Sequence, residues 1–403
     1  MDQILETVRT WCVKRLRWLV ASVVIVAASV QLLVLYEVDT EAVASAVRSN
    51  LPSVLGLASG GGGKNPMATS VVADDIGSLV KMPLYERLLT VFPYDKEHTI
   101  ERNIMQTAKV ADFTNREVDI WRSNAEIGFN YTMYDDETAL ELLLREFALV
   151  FPEIIEAYNS FPRVILRVDF FRYASVFLRG GVYSDTDTLL VKPIDDWISY
   201  NETVLGVPNN VRAVVGIESE CDCQDWQNVY SRRVQFCQWT LQASKHHPLY
   251  ARLLANIVEM MTTNYDADNR TLTIGEKKYE FSAGQQSYYD GIMQLTGPGA
   301  YTTAVFDYLN SLQDVTQINP NDQDAIFASL RHPDPDVKLH SNREDQWNKF
   351  GWENVTKIQE PVLVDDVLIL PEKYFNGKKE DASCLIEHGF HGSWKSSLSG
   401  VTG

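Results

Sequence analysis

The stretch from Arg167 to Asp195, RVDFFRYASVFLRGGVYSDTDTLLVKPID, limits the folds open to this chain more than any other. Asp169 to Leu178 reads as helix, Gly180-Gly181 ends it, and Val182 to Ser184 is a short strand-type run that delivers the chain to Asp185-Thr186-Asp187. Val164 to Leu166 is a short apolar run just before that helix. Upstream, Asp135-Asp136 followed by Leu140, Leu142, Leu143, Leu144, Phe147 and Ala148 has the form of a capped helix with one apolar face, running toward Pro152. Leu189 to Val191, Val204 to Val207, Ala213 to Ile217 and Val367 to Leu370 are further strand candidates. Helices and strands interleave, which predicts an α/β sandwich around a mainly parallel sheet. Ligands of such sheets sit at the carboxyl ends of the strands, and Asp185 follows directly on one.

Asp185 and Asp187 are one residue apart, so in an extended backbone both side chains leave on the same face and can converge on one cation. Oxygen ligands favour Mn²⁺ or Mg²⁺. The spacing alone does not single this pair out: Asp266-Ala267-Asp268, Asp322-Gln323-Asp324 and Asp334-Pro335-Asp336 share it and read as solvated turns. The formal net charge of -18 argues against nucleic acid as a partner, because no basic cluster stands out beyond the first 17 residues. An acidic protein that handles an anionic substrate needs a cation between the two, which fits the acid pair.

Trp18 to Leu35 is an uncharged apolar run of 18 residues, long enough as a helix to span about 27 Å. Arg9, Lys14, Arg15 and Arg17 precede it and Glu37, Asp39 and Glu41 follow, so the positive-inside bias predicts a type II orientation. A cleaved signal peptide is the competing reading and leads to the same compartment. The expected organisation is a cytosolic tail over 1–17, a signal-anchor over 18–35, a flexible luminal stem over 36–96 that contains Ser59-Gly60-Gly61-Gly62-Gly63, and one catalytic domain over 97–403. Cys221, Cys223, Cys237 and Cys384 fall in the luminal part, where two disulfides of undetermined pairing are possible; their spacing does not make a zinc site. Sequons at Asn130, Asn201, Asn269 and Asn354 agree with a luminal location.

The order helix, double glycine, strand, acid pair resembles the DxD sugar-transferase region of glycosyltransferase family thirty-two, and within it the fungal initiation-specific α-1,6-mannosyltransferases of the Golgi. Ile104-Met105-Gln106-Thr107, Val215-Gly216-Ile217-Glu218, Phe236-Cys237-Gln238-Trp239-Thr240, Thr296-Gly297-Pro298-Gly299 and His388 to Lys395 extend the similarity over about Ile100 to Lys395. Met105 departs from the family's usual Trp, and the segment Glu218 to Trp226 is individual. The resemblance implies a GT-A type fold, a GDP-mannose donor, Mn²⁺ (or Mg²⁺), an N-glycan acceptor on glycoproteins, attachment to the Golgi membrane, and homo- or hetero-oligomers with other mannosyltransferases. In that reading Asp187 ligates the metal, Asp185 contacts the metal or the donor ribose, and His388 or His391 completes the metal shell. Gln106, Thr107 and Tyr183 line the donor site. Asp169 and Arg172, one helical turn apart, hold the donor sugar and phosphate. Gly180 and Gly181 let the backbone approach the donor, and Ser393, Trp394 and Lys395 meet its phosphates. Glu218 touches the acceptor or the transferred sugar. The reaction is retaining transfer of mannose in α-1,6 linkage, which begins the outer chain in protein N-glycosylation.

Three rivals share parts of this pattern. An inositol-phosphoceramide mannosyltransferase has the central acid pair, but after Leu35 no second apolar run of about 18 residues occurs to meet a lipid acceptor. A non-catalytic scaffold subunit of a Golgi mannan-polymerase complex would retain a vestigial site. A carbohydrate-binding module would need aromatic platforms, whereas Trp226, Trp239, Trp347, Trp352 and Trp394 are scattered.

Overall fold

The computed structural model describes residues 79, 81–220, 226, 230–281, 286–312 and 350–389. The chain divides into units 1–64 and 65–403, and every described residue belongs to the second. The expected anchor, His391, Ser393, Trp394, Lys395, Cys221, Cys223, Trp347 and the acid pairs at 322–324 and 334–336 lie outside the described residues. Among the described residues no helix is long and apolar enough to cross a membrane.

Helix α1 (Leu84–Val91) comes first and buries Arg87 and Leu88. It belongs to the folded domain, which corrects the expectation of a flexible stem up to residue 96. Leu84, Leu88 and Leu89 recur at helical spacing, and this local stripe outweighs the small-residue composition of the surrounding stretch. Strand β1 (Asn103–Thr107), α2 (Arg116–Ser123), β2 (Asn130–Tyr134), α3 (Asp136–Phe147) and α4 (Pro152–Ser160) follow. The start of α3 is a capping box in which Asp135 accepts from Thr138 N at 2.9 Å. Helix α5 (Val164–Arg179) is continuous, so the short apolar run Val164 to Leu166 is its first turn. With no Pro or Gly between Leu166 and Asp169, nothing interrupts the helix there.

Strands β3 (Gly181–Ser184), β4 (Thr188–Leu190), β5 (Ala213–Glu220), β6 (Val234–Phe236) and β7 (Thr240–Ala243) build the centre. The run Val204 to Val207 is a small hairpin rather than one strand, because Leu205 and Gly206 turn the chain with φ of 52° and 82°. Helices α6 (Pro248–Thr263), α7 (Gln286–Leu295) and α8 (Pro298–Ser311), strands β8 (Val362–Val364) and β9 (Val367–Leu370), helix α9 (Glu372–Phe375) and strand β10 (Ile386–His388) complete the order.

The main sheet runs β8-β9-β5-β7-β3-β1-β2, with β6 paired to β5. β1 pairs in parallel with β2 and β3, and β9 pairs in parallel with β5, while β7 lies antiparallel to both β3 and β5. As a result β1, β2, β3, β5 and β9 all point one way. Their side chains alternate between two cores, with Val367 and Ile369 in one and Leu368 and Leu370 in the other. The chain leaves β1 for β2 on one side and resumes at β3 on the other, so strand order reverses between β1 and β3. A crevice opens at the carboxyl ends of strands where order reverses, and Gln106, Thr107, Ser184 and Asp185 stand at that edge.

Cys237 and Cys384 are buried free thiols, so the arrangement with two disulfides does not form. Asp266 accepts backbone bonds from Asp268 and Asn269 at 3.0 and 3.2 Å in an exposed turn, which is the solvated role expected of that pair.

Candidate active site

The two acids converge through a turn, not through strand alternation. Asp185 ends β3, and its carbonyl accepts from Thr188 N at 3.2 Å and Thr188 Oγ1 at 2.6 Å, so Asp185 to Asp187 form a tight bend before β4. Asp185 N is tied to Trp239 O at 2.9 Å, and Asp187 O accepts from Gly389 N at 2.7 Å. β4 pairs antiparallel with β10, with His388 opposite Thr188, and this register carries the imidazole to the bend. Carboxylate oxygens of Asp185 and Asp187 and a ring nitrogen of His388 lie within 4.8 Å of one another. His388 Nε2 is 3.4 Å from Asp187 Oδ1. Two hard carboxylates with one imidazole suit a divalent cation.

Arg172, on the buried face of α5, stands behind Asp185. Its Nη2 lies 3.1 Å from Asp169 Oδ1 and 3.2 Å from Asp185 Oδ1, and its Nη1 donates to Gln238 Oε1 at 2.6 Å. Tyr183 OH donates to Asp185 Oδ1 at 2.9 Å and meets Thr107 Oγ1 at 2.7 Å. One oxygen of Asp185 is thus held by two protein donors, which fixes the direction of the other. Burial opposes the charge on Arg172, but Asp185 and Asp169 hold its pKa above the ordinary value. Burial pushes Asp169 up to about 6, against the pull of Arg172 and the hydroxyl of Thr296. It raises Asp185 as well, again against Arg172, while the neighbouring Asp187 adds to the rise.

Gln106 is fully buried; its amide donates to Asp185 O at 3.3 Å and accepts from Tyr131 OH at 2.8 Å. Gln106, Thr107 and Tyr183 therefore brace the acid bend at the carboxyl edge of β1 and β3. Tyr183 is also fully buried.

Glu218 sits where the pairing of β5 with β6 slips by one residue, a bulge that aims its carboxylate sideways. Trp239 Nε1 donates to Oε1 at 3.0 Å and Gln235 Nε2 to Oε2 at 2.7 Å. Burial raises the pKa of Glu218, and these two hydrogen bonds pull against the rise. The Trp239 ring lies 4.5 Å from the His388 ring, so Glu218 steadies the indole that backs the third candidate ligand. Both oxygens of Glu218 thus accept a hydrogen bond, which fixes its carboxylate beside the site.

Gly180 and Gly181 are not part of the crevice. Gly180 precedes β3 and Gly181 begins it, at the opposite end of the strand from Asp185. Both have positive φ, 62° and 96°, and a Cβ on Gly180 would strike the Glu101 carboxylate while one on Gly181 would strike Asn103. Their role is a left-handed helix exit packed against β1, a use of glycine that the sequence does not distinguish from close approach to a ligand.

Thr296, Gln238 and Tyr173 also belong to the cluster, with no chemical role evident from the sequence. The signal was present in the blocks Phe236 to Thr240 and Thr296 to Gly299, but only the fold brings them to Asp169.

Fold and site together describe a sugar transferase of the acid-pair type, and comparison with known proteins agrees. Residues 102–204 match the family described as glycosyltransferase sugar-binding region containing DXD motif. The initiation-specific alpha-1,6-mannosyltransferase of Candida albicans is 33% identical over 327 residues, covering 77% of this chain and 76% of that protein. The protein of the same name from Saccharomyces cerevisiae is 30% identical over 392 residues, covering 77% of this chain and 82% of that protein. A solved structure described as PaToxG Glycosyltransferase aligns with 62% of this chain and 82% of its own at 13% identity, with a TM-score of 0.31. The chain belongs to the DXD-containing glycosyltransferase family of the initiation-specific alpha-1,6-mannosyltransferases.

Proposed function

We propose that this protein is a metal-dependent retaining mannosyltransferase that moves mannose from GDP-mannose to an N-linked glycan core in α-1,6 linkage, in the Golgi lumen. The observation that carries the reading is the convergence of Asp185, Asp187 and His388 at the crevice between β1 and β3. The family membership supports the reaction, and the fungal relatives support the linkage.

Asp185, Asp187 and His388 would hold Mn²⁺, which when bound supplies positive charge against the diphosphate leaving group. The chain's own residues do the rest. Asp169 and Arg172 stand buried behind the acid bend, with Arg172 Nη2 on Asp169 Oδ1 at 3.1 Å and Arg172 Nε left without a hydrogen-bond partner. Arg172 Nη1 and Nη2 are committed to Gln238, Asp169 and Asp185, so this residue orients the acid bend rather than gripping phosphate. Gln106 and Tyr183 hold the bend on the donor side, and Trp239 with Glu218 holds it on the His388 side.

Retention without a nucleophilic carboxylate points to a front-face reaction. The acceptor hydroxyl forms its bond to the anomeric carbon on the side from which the diphosphate leaves, and its proton passes to a departing phosphate oxygen.

The test is incubation of the purified protein with GDP-mannose, Mn²⁺ and an oligomannose N-glycan. One added α-1,6-linked hexose is expected, and Asp187→Ala should lower the rate by about a thousandfold, the scale of losing a preorganised charge contact in the transition state. Full activity after exhaustive chelation, or in Asp187→Ala, would defeat the reading.

A further inference from the structure

Two sequence blocks that the acid pair leaves without a role meet behind it. Gln238 lies between β6 and β7, next to Trp239, whose carbonyl receives Asp185 N. Thr296 directly precedes the Gly297 cap of α8. Thr296 Oγ1 donates to Asp169 Oδ2 at 2.9 Å, and Thr296 O accepts from Tyr173 OH at 2.6 Å. Tyr173 OH also lies 3.0 Å from Gln238 Oε1, the atom that receives Arg172 Nη1 at 2.6 Å. Arg172 Nη2 returns to Asp169 Oδ1 at 3.1 Å. Asp169, Arg172, Gln238, Tyr173 and Thr296 therefore form a ring of neighbours in which the single Tyr173 proton serves Thr296 O, the shorter contact, and Asp169, Arg172, Tyr173 and Thr296 are all buried. Arg172 joins this ring to the acid bend, at Asp185 Oδ1.

We propose that Thr296 and Gln238 are positioning residues for the metal centre: they hold the Asp169–Arg172 pair in one arrangement, and through Arg172 they set the rotation of the Asp185 carboxylate. The physical need is plain. A buried guanidinium between two acids has two nearly equivalent partners, and without further hydrogen bonds it shifts toward one of them. Gln238 fixes the Nη1 edge and Thr296 fixes the second oxygen of Asp169, so the fork can lie only one way. Supporting contacts of this kind, one step removed from a ligand, are commonly worth about 10- to 100-fold in metal affinity.

This inference rests on Asp185 being a metal ligand, and the experiment separates the two claims. Mn²⁺ is titrated into the full chain at saturating GDP, with free Mn²⁺ followed by its electron paramagnetic resonance signal and folding followed by thermal melting. Thr296→Val removes the hydroxyl at nearly constant volume, Thr296→Ser restores it, and Gln238→Met removes the amide. We expect the apparent Mn²⁺ dissociation constant to rise about tenfold or more in Thr296→Val and Gln238→Met, and to return to within about twofold of the parent in Thr296→Ser. Asp187→Ala should abolish tight binding. If the parent binds no Mn²⁺, or Asp187→Ala binds as the parent does, the metal reading itself fails. If Asp187→Ala loses binding while folded Thr296→Val and Gln238→Met keep the parent's affinity, or if Thr296→Ser is as weak as Thr296→Val, the positioning role is overturned.

Discussion

Arg172 illustrates how one side chain can serve a site that it does not itself enter. Its planar fork spans Gln238, Asp169 and Asp185, a geometry that an ammonium cannot reproduce. Arg172→Lys is expected to lower kcat/KM by about 100-fold, the scale of a broken buried pair, and steady-state kinetics with GDP-mannose would measure it. Gly180 gives the opposite case, a residue in the sugar-transferase signature whose duty is structural. Gly180→Ala should cost about 2 kcal/mol of stability through its positive φ and the collision with Glu101, while GDP affinity measured by calorimetry stays at the parent value. A loss of GDP affinity in a fully folded Gly180→Ala protein would return the glycine to the donor site. The helix-glycine-strand order was legible in the sequence, but the end of the strand on which each residue faces a ligand was not, because that depends on which neighbours fill the space.

Among the elements, α1 changes the expected boundary of the catalytic domain. Leu88 is fully buried on the same helix as Arg87, which pairs with Glu153 of α4. Leu88→Ala should destabilise the domain by about 3 kcal/mol, read as a fall in the midpoint of denaturant unfolding. No change in that midpoint would mean that the helix packs too loosely to count as part of the domain. Composition pointed to a stem here because a short helix contributes few apolar residues to a window dominated by small ones. The strands adjoining the acid pair were legible for a different reason: their apolar runs are bounded by glycine or by the acids themselves, and the main error, at Val204 to Val207, came from a left-handed turn that leucine rarely makes.

At the scale of the whole molecule, the sheet has a working edge and a bracing edge. The bracing edge carries Asp366, which immediately precedes β9 and is 1% exposed on its side chain; it accepts from Tyr94 OH at 2.6 Å and Tyr308 OH at 3.0 Å and faces His247 Nε2 at 3.5 Å. Burial alone would raise its pKa, but the neighbouring His247, then the two tyrosine hydroxyls, lower it from 3.8 to about 2. The unfolded chain therefore takes up this proton first as the pH falls. The stabilisation, about 2 kcal/mol, is complete above pH 4 and is lost between about pH 4 and pH 2. Acid unfolding followed by circular dichroism should show this limb in the parent protein and a shallower one in Asp366→Asn, which should also melt at lower temperature. An unchanged acid limb would mean that other carboxylates carry the transition.

The sequence by itself determined the alternation of helices and strands, the acid pair at a strand end and the family, because these rest on local periodicity and on short contiguous patterns. Only the tertiary structure decided that a turn rather than strand alternation brings Asp185 and Asp187 together, that β10 carries His388 to them, and that Thr296 and Gln238 form a ring of neighbours with Asp169 and Arg172. Those contacts join residues far apart in the chain, and the register of the sheet and the packing of α5 against α8, which no local pattern encodes, set their geometry.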